Sequence, residues 1–172
     1  MLFDRDDFAL FDLPRRFALD QGDLDACRRR LQASVHPDRF VGEGAAAQRV
    51  AMQWAIRVNE AYARLKDPLK RAGYLCELAG AAVDAEDNTA MPAEFLVQQM
   101  EWREALDEAK TSDTIAAIGR EVDERRRRAY AALAEAIDES ADFLAAARQV
   151  RALMFLERFA EDVGFRLESM EG

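Results

Sequence analysis

Proline occurs only four times in the 172 residues, at positions 14, 37, 68 and 92. A proline inside an α-helix breaks it, because the ring nitrogen has no hydrogen to donate and the ring clashes with the preceding turn. Between these positions, apolar residues recur at the spacing of three and four that is typical of amphipathic helices. The prolines therefore divide a helix-forming chain into segments, and these segments predict an all-α fold.

The segments before Pro37 predict two helices. "FALFDLP" (8–14) is a short apolar helix closed by proline, and Asp20 or Asp23 can cap the next helix. Pro37 must end that second helix, because a residue before proline disfavours helical geometry. The second helix carries one apolar stripe, formed by Leu24, Cys27, Leu31 and Val35.

The segments after Pro37 predict a long helix over 45–65 and a short one over 68–78. The long helix repeats apolar residues at helical spacing, and "KDP" (66–68) ends it. Two antiparallel helices joined by a loop form a helical hairpin, whose turn would carry His36, Pro37 and Asp38. The inward residues of the long helix would be Val50, Trp54, Val58, Ala61 and Leu65.

The second half of the chain predicts a three-helix bundle. "AGAAVDAEDNTAMP" (79–92) is polar and small, which is typical of a domain junction. Short polar connections between the following helices imply that they are antiparallel neighbours. The predicted helices cover 92–110, 114–137 and 141–168, and the predicted domains are 1–79, a linker at 80–91, and 92–172.

The charge is unevenly distributed between these halves. Residues 1–79 contain 13 basic and 12 acidic residues, whereas residues 80–172 contain 11 and 21, and the whole chain has a net charge of −9. Such asymmetry indicates that the halves meet different partners. Nucleic acid is not expected as a partner, because the acidic half would repel phosphates and no basic stripe with interleaved aromatic residues occurs.

No metal or other cofactor is expected. Cys27 and Cys76 lie far apart without a CxxC motif, and His36 is the only histidine. No apolar run approaches the length of a membrane span, and "MLFDRDDFALFD" carries acids where a signal peptide needs bases. A cytoplasmic location is therefore expected.

Two interpretations of the tripeptide His36-Pro37-Asp38 require no partner protein. It could simply be a turn, with proline ending a helix and aspartate satisfying loop amides. It could also belong to a small helical enzyme that uses His36 as a general base. A general base needs a nucleophile and an orienting group, and the sequence offers neither constellation. An enzyme is therefore not expected.

The first 78 residues resemble the J-domain, the module that activates DnaK-type chaperones. "FALFDLP", "HPDRF", "VNEAYARLKDP" and "RAGYL" occur in the matching order and at the matching spacing. Val35 stands where J-domains often have tyrosine, which we interpret as a packing variant. The resemblance implies a chaperone-docking surface in which Asp38 acts allosterically on the partner's ATPase, formed by Arg28, Arg29, Arg30, His36, Pro37 and Asp38.

"FLVQQMEWREALDEA" (95–109) predicts a helix with two apolar sides. Phe95, Gln99, Trp102, Leu106 and Ala109 fall on one side and would face the bundle core. A helix of a three-helix bundle cannot bury opposite faces, so the other strip predicts an exposed protein interface edged by acids. That strip consists of Leu96, Val97 and Met100 with Glu101, Glu104 and Glu108.

The last helix predicts a further candidate for this interface. Phe155 projects away from the inward side, among Arg148, Arg151 and Asp162. An aromatic side chain on a charged face is a candidate hot spot. The alternative is that Phe155 and the apolar strip pack against the J-domain. The inward side of the last helix would consist of Ala146, Val150, Leu153, Ala160, Val163 and Leu167.

Over nearly its whole length, the chain resembles HscB, the J-type co-chaperone family of bacterial iron–sulfur cluster assembly. The resemblance implies that the chain binds the cluster scaffold IscU and delivers it to HscA, a DnaK-type chaperone. Val97 replaces a longer methionine of the family. The alternative is a J-domain co-chaperone for a different client. The positions that match the IscU-binding residues are Leu96, Val97, Met100, Glu101, Glu104, Glu108 and Phe155.

The run "ERRRRAY" (124–130) places four arginines on all sides of a helix, with acids on neighbouring turns. A nucleic-acid-binding site needs its basic side chains on one face of the helix. We therefore interpret the run as a solvated surface with ion pairs between residues one turn apart.

Overall fold

The structure is a computed structural model that describes residues 5–40, 42, 44–81, 83 and 91–171. These residues form seven α-helices and no strand, which confirms the predicted all-α class. A 3₁₀ turn spans Pro37–Phe40, and a π-turn spans Glu135–Glu139. The helices are α1 (Asp7–Phe11), α2 (Gln21–Val35), α3 (Ala45–Lys66), α4 (Pro68–Leu78), α5 (Ala93–Glu108), α6 (Ser112–Ala134) and α7 (Phe143–Glu171).

The chain forms two compact units, Met1–Leu75 and Cys76–Gly172. The division falls within α4, so the first unit holds α1–α3 with most of α4, and the second holds α5–α7. The predicted domains 1–79 and 92–172 stay a prediction. Within the predicted linker, residues 82 and 84–90 lie outside the described residues.

The first unit is built on the predicted hairpin of α2 and α3. Asp20, rather than Asp23, caps α2, because its carboxylate accepts the backbone N–H of Asp23 at 2.9 Å. Asp67 ends α3 and caps α4, accepting the backbone N–H groups of Leu69 and Lys70 at 2.9 and 3.1 Å. The buried residues of this unit include Phe8, Phe11, Leu24, Cys27, Val58, Ala61 and Leu65.

The beginning of α3 is less buried than predicted. Val50, expected in the core, is 47% exposed, and Trp54 is only half-buried. Helix α1 has five residues and is tied to the later part of α3, because Asp7 forms ion pairs with Arg57 and Arg64. Among the described residues, an apolar groove of about 560 Å³ lies beside Val50.

The second unit contains the predicted three helices. Helices α6 and α7 are antiparallel, since Gly119 lies against Val163 whereas Arg126 pairs with Glu157. The predicted core of α7 is correct at Ala146, Val150, Leu153 and Val163, which are buried, while Ala160 and Leu167 are half-buried. Leu156 and Phe159 are also buried and were not predicted.

Candidate functional site

The tripeptide forms a compact turn at the end of α2. His36 leaves the helix with extended backbone angles of φ −61° and ψ 128°, as the following proline requires. The backbone N–H of Asp38 donates to His36 Nδ1 at 3.3 Å, and the N–H of Arg39 donates to the carbonyl of His36 at 3.0 Å. The Asp38 side chain is 83% exposed. The turn therefore presents the carboxylate to solvent.

The three predicted docking arginines are not equivalent. Arg29 and Arg30 are exposed on α2. Arg28 is half-buried, with its guanidinium 4.1 Å from the centre of the Tyr62 ring and 3.4 Å from Asn59 Oδ1 on α3. Two of the three cations are therefore open to a partner, whereas Arg28 also packs the hairpin together.

Further hydrogen bonds fix α2 against α3 beside the turn. Gln32 Nε2 donates to Asn59 Oδ1 at 3.0 Å. The Tyr62 hydroxyl donates to Asp25 Oδ1 at 2.7 Å, and this bond, together with one from Gln21, lowers the pKa of the Asp25 carboxyl. Because these bonds cross the hairpin, they hold the end of α2, and hence the turn, in one register.

Sequence reasoning did not single out Arg39. This residue is exposed, and its guanidinium donates to the carbonyl of Ala33 at 3.0 Å. The bond holds a positive charge at the end of α2, next to Asp38. The sequence feature that could have identified Arg39 is its position directly after the tripeptide.

Helix α5 has one buried and one exposed apolar side. Phe95, Trp102 and Leu106 are buried, whereas Val97 and Met100 are 53% and 71% exposed. Leu96 is half-buried at the edge of the exposed side. Glu101, Glu104 and Glu108 are all exposed. We call the face formed by Leu96, Val97, Met100 and these three glutamates the acidic face of α5.

Phe155 links α7 to α5. Its ring contacts Phe95 edge-on, with centroids 5.8 Å apart, and stacks on Phe159 at 5.6 Å. The guanidinium of Arg103 lies 5.6 Å from the ring centre. Phe155 is therefore half-buried and less exposed than predicted. The prediction considered α7 alone, whereas Phe95 of α5 packs against the side of α7 that carries Phe155.

The comparisons with known proteins agree with this architecture. Residues 91–164 match a family model described as the HSCB C-terminal oligomerisation domain. A co-chaperone protein HscB homolog of Burkholderia mallei is 50% identical over 167 residues, covering 95% of each chain. The chain belongs to the HscB family.

Solved structures of HscB proteins extend the match to the fold. The chaperone HscB from Vibrio cholerae superposes with a TM-score of 0.89 at 36% identity, covering 96% of this chain and 99% of its own. Human co-chaperone HscB gives a TM-score of 0.87 at 27% identity, covering 95% of this chain and 82% of its own. The predicted family, and with it a J-domain co-chaperone role in iron–sulfur cluster assembly, is confirmed.

The arginine run of this HscB-family chain lies on α6 and is mostly ion-paired. Arg127 pairs with Glu124, three residues earlier, and Arg128 lies 3.4 Å from the same carboxylate. Arg126 pairs with Asp123 and with Glu157 of α7. Arg125 forms no ion pair within the described part of the chain. The predicted ion pairs between neighbouring turns are therefore present.

Two further features bear on function. In the part of the chain that the structure describes, no three His, Cys, Asp or Glu side chains lie together as metal ligands would. None of the described helices is both long and apolar enough to span a bilayer.

Proposed function

We propose that this co-chaperone binds the cluster scaffold IscU through the acidic face of α5 with Phe155, and delivers it to HscA. The turn of His36, Pro37 and Asp38 then stimulates the ATPase of HscA, together with the arginines of α2. The chain itself performs no chemistry in this scheme, and any iron–sulfur cluster is carried by IscU. The expected cytoplasmic location stays a prediction, which cell fractionation can check.

The exposed turn is the observation that carries the chaperone half of the proposal. Asp38 is anchored through its backbone to His36 Nδ1, while its side chain is 83% exposed. A carboxylate held in one position loses little entropy when it meets a partner. Arg29 and Arg30 can steer an acidic surface towards it.

The turn is tested by ATPase stimulation. We expect His36→Gln to abolish stimulation of HscA, because the turn loses its imidazole while the exposed site tolerates the change. Binding of IscU, measured by calorimetry, should be unchanged. Asp12→Asn is the control, since Asp12 is an exposed carboxylate of the same unit in a left-handed backbone conformation that asparagine also adopts. Normal stimulation by His36→Gln would overturn the proposed role of the turn.

The acidic face carries the scaffold half of the proposal. Two large apolar side chains stand mostly in solvent, with three exposed carboxylates around them. Soluble proteins that expose such a patch generally use it to bind a partner. Val97 and Met100 are largely exposed whereas Phe95 and Trp102 are buried, so substitutions of Val97 and Met100 should leave the bundle core intact.

Met100→Ala tests this face most cleanly, because Met100 is 71% exposed. We expect IscU binding to weaken about tenfold, or about 1.4 kcal/mol. Met52→Ala is the matched control, as Met52 is a 58% exposed methionine on α3 of the other unit. Leu96→Ala combined with Phe155→Ala should cost a few kcal/mol, although Phe155→Ala also removes packing on Phe95.

The alternative client hypothesis predicts a different pattern. A co-chaperone for another client would stimulate HscA normally and show no binding to IscU, even before substitution. An enzyme using His36 would show turnover by the isolated chain without any chaperone. Measuring IscU affinity and turnover on the unsubstituted chain separates all three.

A further inference from the structure

Helix α7 exposes apolar side chains on the side opposite its buried residues. Met154 is 43% exposed, and Phe165 is 76% exposed, the highest value among the large apolar side chains that the structure describes. The two lie within about 20° of each other around the helix, because eleven residues make almost three whole turns. The other side of α7 carries Leu153, Leu156 and Val163, which are buried.

Charged residues continue this exposed side at the alternating spacing of four and three that is typical of a coiled-coil seam. Arg158 and Glu161 occupy the two positions between the exposed apolar residues, and both are exposed themselves. The half-buried Arg151 and the exposed Glu168 extend the spacing at either end. We call this row the α7 seam, and it consists of Arg151, Met154, Arg158, Glu161, Phe165 and Glu168.

The α7 seam is complementary to itself when it is read in the opposite direction. Each basic position has an acidic position at the same distance on the other side of the midpoint, and Met154 mirrors Phe165. A second α7 lying antiparallel would place Arg158 of each chain opposite Glu161 of the other. Met154 of each chain would then lie against the other chain's Phe165. A parallel pair would instead bring like charges together.

The central charges of the seam are not used elsewhere in the part of the chain that the structure describes. Arg158 and Glu161 form no ion pair with each other or with another described side chain, although their spacing of three permits one. Arg127 and Glu124 of α6, at the same spacing, do pair. A uniformly acidic or basic partner would match only one half of the seam, whereas an antiparallel copy matches both halves.

We propose that the α7 seam binds a second copy of this chain and forms an antiparallel dimer with two-fold symmetry. The seam is about 25 Å long at about 1.5 Å per residue. One pair of helices of this length buries less surface than the roughly 1,200–2,000 Å² of stable interfaces, so we expect a weak dimer with a micromolar dissociation constant. The proposal does not depend on the proposed function, because no seam residue belongs to the acidic face of α5 or to the turn at His36.

Sedimentation equilibrium of the full chain at rising concentration measures the dimer. We expect Phe165→Ala to raise the dissociation constant at least tenfold, because the symmetry removes an apolar contact twice. Met52→Ala is the control, since it shortens another exposed apolar side chain, in the first unit, and should leave the constant unchanged. Circular dichroism should show the parent helix content in both variants, because both side chains are exposed.

Charge reversal tests the antiparallel arrangement. Arg158→Glu alone and Glu161→Arg alone should each abolish the dimer, because like charges then meet at both symmetric contacts. An equimolar mixture of the two variants should dimerise again, since every acid of one chain meets a base of the other. Arg166→Glu is the control, because this exposed residue of α7 lies outside the seam, and it should dimerise like the parent.

Each of three results would overturn the proposal. The first is a parent chain that stays monomeric up to millimolar concentration. The second is equal dimerisation of the Phe165→Ala and Met52→Ala variants, which would place any self-association on another surface. The third is a mixture of the two charge-reversal variants that stays monomeric. Loss of IscU binding or of ATPase stimulation bears on the proposed function alone.

Discussion

Asp7 is fully buried in the first unit, and its carboxylate lies 2.6 Å from Arg57 and 3.1 Å from Arg64 of α3. Its backbone N–H donates to the Tyr74 hydroxyl of α4 at 3.1 Å. One residue of α1 thus contacts two other helices. A buried charge is tolerated only because these partners compensate for the water it has lost.

We expect Asp7→Asn to lower the free energy of unfolding by about 3 kcal/mol, because it leaves two arginines without their shared carboxylate. Urea denaturation followed by circular dichroism measures this change. Asp12→Asn changes an exposed carboxylate one residue beyond α1 and should stay within about 0.5 kcal/mol of the parent. Equal effects of the two substitutions would contradict a special role for Asp7.

Cys76 is fully buried, and burial raises the pKa of its thiol from 9.0 to about 11. The unfolded chain therefore ionises this thiol at a lower pH than the folded chain does. The free energy of unfolding should fall as pH rises from 9.0 to about 11. Cys76→Ala should remove this part of the pH dependence, measured by urea titrations at several pH values. Parallel pH profiles for parent and variant would contradict the prediction.

At the scale of single residues, the sequence predicts a feature that is set by neighbouring residues, and it does not predict one that is set by a contact with a distant part of the chain. The turn at His36 followed from Pro37, because proline restricts its neighbour whatever surrounds it. The inward orientation of Arg28 did not follow, since it depends on Tyr62, 34 positions later in the sequence. Sequence spacing placed Arg28 outside the apolar stripe of α2, but only the packing of α3 against α2 decides that its side chain turns inward.

At the scale of helices, the boundaries were predicted closely, but the kind of helix at the end of α6 was not. The predicted 68–78 helix is found as Pro68–Leu78, and the predicted 45–65 helix as Ala45–Lys66. Proline and capping aspartate mark these ends in the sequence. The predicted helix over 114–137 is found as α6 followed directly by the π-turn Glu135–Glu139, so the chain stays helical beyond 137 but changes its hydrogen bonding at Glu135. A change in backbone hydrogen bonding leaves little trace in side-chain periodicity.

Glu157 connects the two longest helices of the bundle. Its carboxylate pairs with Arg126 and accepts from the Tyr130 hydroxyl at 2.8 Å, both on α6. Because both ends of the ion pair are about 30% exposed, water screens the interaction. We expect Glu157→Gln to lower the free energy of unfolding by about 1 kcal/mol. Glu161→Gln, an exposed change one turn along α7, should have almost no effect in the same denaturation assay.

At the scale of the whole molecule, the two units carry different charges and different candidate surfaces. Residues 80–172 hold 21 of the 33 acidic residues, and three of these lie on the acidic face of α5. The exposed acidic face of α5 was predictable from sequence, since both the charge asymmetry and the second apolar strip of α5 follow from the order of residues along the chain. The contact of Phe155 with Phe95 was not, because it joins residues 60 positions apart.

The proposed binding of IscU to the acidic face should depend on ionic strength. Salt screens exposed charges over about 10 Å at 0.1 M, so raising the salt concentration should slow association with IscU more than it speeds dissociation. Glu104→Gln should flatten this dependence, as measured by stopped-flow association. Glu139→Gln alters the net charge equally but lies beyond α6, so its salt dependence should match the parent. If both variants flatten the dependence alike, the effect belongs to the net charge of −9 and not to the acidic face.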